Sequence, residues 1–183
     1  STRESAAVSP YLEDLYSKGY EVIFAVEPID LYCLDRLEEF EGFALENPEK
    51  ENEKGKNKKG KTKMSVMLQQ LNVTQKEFTN ISRWFKKTIG DRLDKIQLSN
   101  RLKSTPAIAS APNWGYTASH ERLIRAQTVY DQRLTDSILL NRKILELNPE
   151  HPTIKEMFRR IKENPKDENV KADAVLLFDT ALL

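Results

Sequence analysis

The sequence predicts a mixed α+β fold. Apolar residues recur at helical spacing in several segments. A few short runs are rich in β-branched residues or alternate like strands. A charged stretch without apolar residues separates two such regions, and the 183 residues have room for one domain or one and a half.

The first region spans residues 1–45. Ser9-Pro10 reads as a helix start, Ser as cap and Pro at the first helical position, with Leu12, Leu15 and Tyr16 at helical spacing and Gly19 as the stop. The run Glu21-Val22-Ile23-Phe24-Ala25-Val26 reads as a buried strand. Asp30 can cap a second helix that places Cys33, Leu37 and Phe40 on one face and ends at Gly42. Helix, strand and helix with short joins form an α/β unit, expected to be the edge of a larger one. Cys33 is the single cysteine, which excludes an internal disulfide, and its position predicts a buried, inert thiol.

Residues 46–63 read as a charged flexible linker. Glu49 to Lys54 and Lys58 to Lys61 hold no apolar side chain, so burial cannot offset their ordering entropy.

Residues 64–183 form the second region. Met67, Leu68 and Leu71 suggest a helical turn or two. Thr74-Gln75-Lys76-Glu77 is a capping box, followed by the stripe Phe78, Ile81, Phe85, Ile89 and the stop Gly90. Residues 95–99 alternate like a strand, and 106–111 form a second, weaker candidate. Ser119 can cap a helix with Leu123, Ile124, Gln127 and Tyr130 on one face. Residues 142–147 fit either a helix end or a third strand. Ile154, Met157, Phe158 and Ile161 mark an amphipathic helix ended by Asn164-Pro165. Asp167 caps the last helix, with Val170, Ala174, Leu177, Phe178, Ala181 and Leu182 on its apolar side. From Val175 onward that helix is apolar around much of its circumference and must be covered. Its apolar end, Ala181-Leu182-Leu183, reads as a cut through a longer protein.

Several function classes are disfavoured. A net charge of +1 does not argue for nucleic acid or acidic lipid as a partner. A basic nucleic-acid arm at Lys54 to Lys63 would need aromatics for base stacking, and acids are interleaved nearby. No apolar run approaches the roughly 20 residues that span a bilayer; Ser1-Thr2-Arg3-Glu4 lacks the basic-then-apolar order of a signal peptide, which says little of a chain that reads as an excised piece. There is no phosphate loop, paired-cysteine metal site or nucleophile motif, and His120 and His151 lack ligand spacing, so no catalytic or metal residues are expected. Asn72-Val73-Thr74 and Asn80-Ile81-Ser82 match the N-glycosylation pattern. Use of either is disfavoured, because Thr74 is wanted for a cap and Asn80 falls within a helix.

Ordered blocks of this sequence resemble the ninety-kilodalton heat-shock protein chaperones. Ser9-Pro10-Tyr11-Leu12-Glu13, Gly19 to Phe24, Glu27 to Tyr32 and Glu39-Phe40-Glu41-Gly42 are similar to the end of the family's middle segment. Lys95 to Leu102, Ser104 to Ala107, Glu121 to Gln127, Leu147 to Pro152 and Ala174 to Leu183 are similar to its carboxy-terminal domain. Met157 to Glu163, with Trp84 and Phe85, resemble the endoplasmic-reticulum branch, the endoplasmins, more than the cytosolic one.

The resemblance implies the end of an α/β middle segment, followed by a mixed helical domain with a small three-stranded sheet, which makes residues 142–147 a strand. It implies a homodimer that binds unfolded clients and assists folding, with co-chaperones as further partners and no nucleic acid or membrane. ATP and magnesium would belong to the full-length protein, with no cofactor and no enzymatic activity in this segment. The compartment implied is the lumen of the endoplasmic reticulum, with cytoplasm as the alternative.

Carried over by position, client contact falls on Trp114, Tyr116, His120, Leu123 and Ile124, and the dimer interface on Val175, Leu176, Leu177, Phe178, Leu182 and Leu183. The family's usual order, Phe or Tyr, Gly, then Trp, is here Trp114-Gly115-Tyr116. Two family methionines are here His120 and Ile124, which gives a stiffer apolar face. Leu123 and Ile124 read equally as core packing, and Trp114 and Tyr116 as a packed loop anchor. A different class, a helical tetratricopeptide-like adaptor, shares the Leu147 to Pro152 turn but lacks the required period near 34 residues.

Overall fold

The computed structural model describes residues 3–51, 58–113, 115–127 and 142–182. Its centre is a three-stranded sheet of β3 (Leu93–Leu98), β4 (Ala107–Ser110) and β5 (Lys143–Leu147), in the order β3-β5-β4. β5 runs parallel to β3, with Ile96 opposite Leu145 and Leu98 opposite Leu147, and antiparallel to β4. This central sheet does not fit a helical adaptor array.

One face of the sheet carries Ile96, Leu98, Ala107, Leu145 and Leu147 into a continuous apolar core. Helices α5 (Gln75–Ile89), α7 (Pro152–Glu163) and α8 (Glu168–Ala181) cover that face. α5 starts where Thr74 and Glu77 close the predicted box: Glu77 N donates to Thr74 Oγ1 at 3.2 Å and Thr74 N to Glu77 Oε2 at 2.7 Å. The bond from Thr74 N, with Lys162 Nζ at 3.0 Å and the Thr74 hydroxyl, holds the Glu77 carboxyl at about 2. Phe78, Ile81, Phe85 and Ile89 are all buried, and Gly90 ends the helix at φ +80°. α7 inserts Ile154, Met157, Phe158 and Ile161, with the Phe158 ring 6.4 Å from that of Phe78. α8 is capped by Asp167, whose Oδ1 accepts from Asn169 N at 2.9 Å, and buries Val170, Ala174 and Phe178. Before α5, helix α4 (Lys58–Gln70) adds Leu68 to the same core.

The chain's first elements are helix α1 (Arg3–Ala7), a 3-10 turn at Pro10–Leu12, α2 (Glu13–Ser17) and α3 (Pro28–Arg36). The strand expected at 21–26 is absent. Those residues alternate between half-buried and exposed, with Ile23 62% exposed, but no segment among the described residues pairs with them. A strand pattern without a ladder partner leaves an extended segment.

The second helix also differs from expectation. Asp30 does help cap it, but as the third residue of a capping box with Glu27, so α3 starts at Pro28. It ends at Arg36, not Gly42. Leu37 is extended, and Phe40 lies in a hairpin of β1 (Glu39–Phe40) and β2 (Phe43–Ala44). Glu41 and Gly42 form its turn, both at positive φ, which glycine accepts without strain. Cys33 is exposed rather than buried, because no described residue covers its face of α3.

The expected linker is structured wherever it is described. Residues 49–51 lie beside the end of β4, where Glu51 N donates to Ala111 O at 2.8 Å and Ala111 N to Glu49 O at 2.9 Å. Residues 58–63 already belong to α4. Helix α6 (Ala118–Gln127) starts two residues earlier than a cap at Ser119 would allow. Thr117 is its cap, and Thr117 Oγ1 accepts from His120 N at 3.4 Å. Tyr130, expected on the same face, lies outside the described residues.

Candidate functional site

β5 reads Lys-Ile-Leu-Glu-Leu and is buried at all five positions. Two charges in such a strand need partners, because an unpaired buried charge is strongly destabilising. Glu146 points to the sheet face opposite the apolar core. There Arg101 grips it with both arms of its guanidinium, Nε to Oε2 at 3.0 Å and Nη2 to Oε1 at 2.5 Å. Ser110 Oγ donates to the same carboxylate.

Arg101 also reaches the first region of the chain. Its Nη1 donates to Pro48 O at 2.7 Å, and its guanidinium lies 5.6 Å from the centre of the Tyr11 ring. Tyr11 hydroxyl donates to Ala109 O at 2.7 Å. Burial raises the pKa of this phenol far above its ordinary value, and Glu49 adds to the shift. Beside it, the carboxylate of Glu13 accepts from Lys103 N at 2.6 Å, Ser104 Oγ at 2.7 Å and Thr105 Oγ1 at 2.7 Å. The Glu13 pKa is lowered: burial raises it, but these hydrogen bonds outweigh that.

The same seam holds the start of α6. Glu49 Oε1 accepts from Ser119 Oγ at 2.6 Å. His120 is buried, with Nδ1 2.8 Å from Thr117 Oγ1. Its Nε2 lies 2.7 Å from Asp35 Oδ2 on α3, a close contact without hydrogen-bond alignment. Lys143 of β5 donates from Nζ to Tyr116 O at 2.7 Å and pairs with Glu121.

Around this scaffold the residues singled out in the sequence divide. The Tyr116 backbone is tethered while its side chain is 52% exposed. Leu123 and Ile124 are half-buried. His120 faces inward to Thr117 and Asp35, so it belongs to the seam and not to an exposed face. Trp114 lies outside the described residues.

The residues of the last helix divide too. Phe178 is wholly buried in the chain's own core under the Arg92 guanidinium, 5.1 Å from its ring centre, which withdraws it from any surface. Leu177 and Leu182 pack partly against that core. Leu176 is 65% exposed, and with exposed Ala172 and half-buried Val175 and Trp84 it lines a shallow groove between α5 and α8. Leu183 lies outside the described residues.

Sequence reasoning missed Arg101, Glu146, Glu13 and Glu49. One signal was available: Glu146 stands between Leu145 and Leu147 in a buried strand and demands a cation. Nothing local names Arg101 as that cation, because sheet register and the loop after β3 bring the two together. Among the described residues no cluster of His, Cys, Asp and Glu could hold a metal ion, and no helix is long and apolar enough to cross a membrane.

The family described as Hsp90 protein matches residues 1–183. An Endoplasmin homolog of Arabidopsis thaliana is 35% identical over 184 residues, covering 100% of this chain and 21% of the relative. The heat shock protein HSP 90-beta-3 of Homo sapiens is 33% identical over 182 residues, covering 100% of this chain and 29% of the relative. The chain therefore spans less than a third of the length of either.

Proposed function

We propose, from the premise that this chain belongs to the Hsp90 protein family, that it is the client-contacting and dimer-forming part of a molecular chaperone. Membership supports the chaperone function itself. The finer reading places client contact on Trp114, Tyr116, Leu123 and Ile124, with His120 setting the position of α6 from behind. The observation that carries it is an exposed Tyr116 side chain on a backbone fixed by Lys143, next to an amphipathic helix held at its first turn by Glu49 and Asp35. An exposed aromatic residue on a fixed backbone presents apolar area at low entropic cost.

Residues 1–45 are read as the end of a middle segment and 64–183 as the carboxy-terminal domain. Homodimerisation would use Val175, Leu176, Leu177, Leu182 and Leu183. Binding and hydrolysis of ATP with magnesium would belong to other parts of a longer protein, and co-chaperones are further partners. The name of the Endoplasmin homolog supports the lumen of the endoplasmic reticulum.

The test is suppression of client aggregation by the full-length chaperone carrying Tyr116→Ala and Leu123→Ser. A several-fold loss at unchanged melting temperature is expected. Unchanged suppression would remove client contact from α6.

A further inference from the structure

We propose that Asn72 is an N-glycosylation site of this protein, occupied in preference to Asn80. The proposal rests on the endoplasmic-reticulum reading, because the glycan is transferred in that lumen.

The turn between α4 and α5 fixes Asn72 in the left-handed region at φ +52°, which asparagine tolerates better than most residues. The backbone is held on both sides. Asn72 N donates to Gln69 O at 3.0 Å, and Val73 N closes the helix end onto Leu68 O at 3.1 Å. Val73 is buried in the core, while Asn72 is exposed. The middle residue of the pattern thus anchors the turn, and the asparagine stands out from it. Among the described residues the Asn72 carboxamide has no hydrogen-bond partner. Its backbone oxygen accepts from Lys162 Nζ at 3.3 Å.

Asn80 is likewise exposed beside a buried middle residue, Ile81, but differs in backbone and in side-chain partner. It lies inside the regular helix α5, and its Oδ1 accepts from Arg83 Nη1 at 3.2 Å. Formation of α5 draws the Asn80 backbone into a regular helix, whereas Asn72 lies in the turn before that helix. The cap made by Thr74 does not conflict with transfer to an emerging chain, because its hydroxyl engages Glu77 only once α5 has formed.

The step balances as a group transfer. The co-reactant is a lipid-linked pyrophosphoryl oligosaccharide. Its sugar C1–O bond to phosphate breaks, a C1–N bond forms to Asn72 Nδ2, that nitrogen loses one proton, and the lipid pyrophosphate leaves.

The full chain behind a secretory leader can be translated into microsomes, with protease protection showing lumenal delivery. Enzymatic deglycosylation in heavy-oxygen water then marks each occupied asparagine as labelled aspartate for mass spectrometry. Label at Asn72 exceeding that at Asn80 is expected, with loss of one mobility step in Asn72→Gln and retention in Thr74→Ser. Protected chain without label at Asn72, or with more at Asn80, overturns the proposal. Separately, if the native protein is not lumenal in its own cells, the compartment reading fails while the leader-directed result still decides the site.

Discussion

Residues 3–44 and residues 64–182 follow the same sequence patterns and reach opposite states of burial. In the first region only Leu12 and Asp14 are buried, while Val8, Tyr16, Tyr20, Ile23, Ile29, Phe40 and Phe43 are exposed. In the second, every strand and the helices α5, α7 and α8 deliver residues to one core. An apolar period states that a face wants cover; it does not state that the same stretch of chain provides it. The second region meets its own demand. The first is attached instead through polar groups of its own, Tyr11 and Glu13, with Pro48 O and Glu49 of the following segment beside them.

The sharpest test of this contrast compares two phenylalanines. Phe158→Ala should cost about 3–5 kcal/mol, because it empties a filled core position. Phe43→Ala, at 76% exposure, should stay within about 0.5 kcal/mol. Urea denaturation of both variants measures it, and comparable losses would mean that the first region has a core of its own.

This asymmetry also separates what the sequence makes legible from what it hides. The stripes of α5, α7 and α8, the Thr74 box, the Gly90 stop and the Asp167 cap follow from local rules and stand where those rules put them. The strand at 21–26 fails because pairing is not a local property. Phe40 falls on a hairpin because Glu41-Gly42 is turn chemistry that the helical period obscured. The polar seam was hidden since its members lie 45 positions apart for Arg101–Glu146 and 70 for Glu49–Ser119.

Within the seam, Glu146→Ala leaves the Arg101 guanidinium buried without its partner and should cost about 3 kcal/mol. Replacing both, Arg101→Met with Glu146→Leu, should recover most of that loss. Denaturation of single and double variants reads the coupling. Additive losses would show that the two residues act independently.

The smallest expected effect lies at the start of α5. Thr74→Ala should cost about 1 kcal/mol. Its size should depend on pH, because the Glu77 carboxyl that completes the box sits at about 2 in the fold instead of 4.5. A depressed folded value stabilises fully above the ordinary carboxylate value and is lost as pH falls through the folded one. The gap between wild type and Thr74→Ala in thermal melts should therefore narrow from pH 5 towards pH 2. A constant gap would detach Glu77 from the cap.

The grip of Arg101 on Pro48 O, the Glu146 carboxylate and the Tyr11 ring has a mechanical consequence. Oily surfaces can slide past one another, since dispersion has no preferred direction. Aligned donors and acceptors hold one register and resist shear until they let go together. A tug on the front of the chain is thus transmitted through Arg101 to β5 instead of dissipating as slip. The back of the sheet works as a gear tooth, where its front works as ballast.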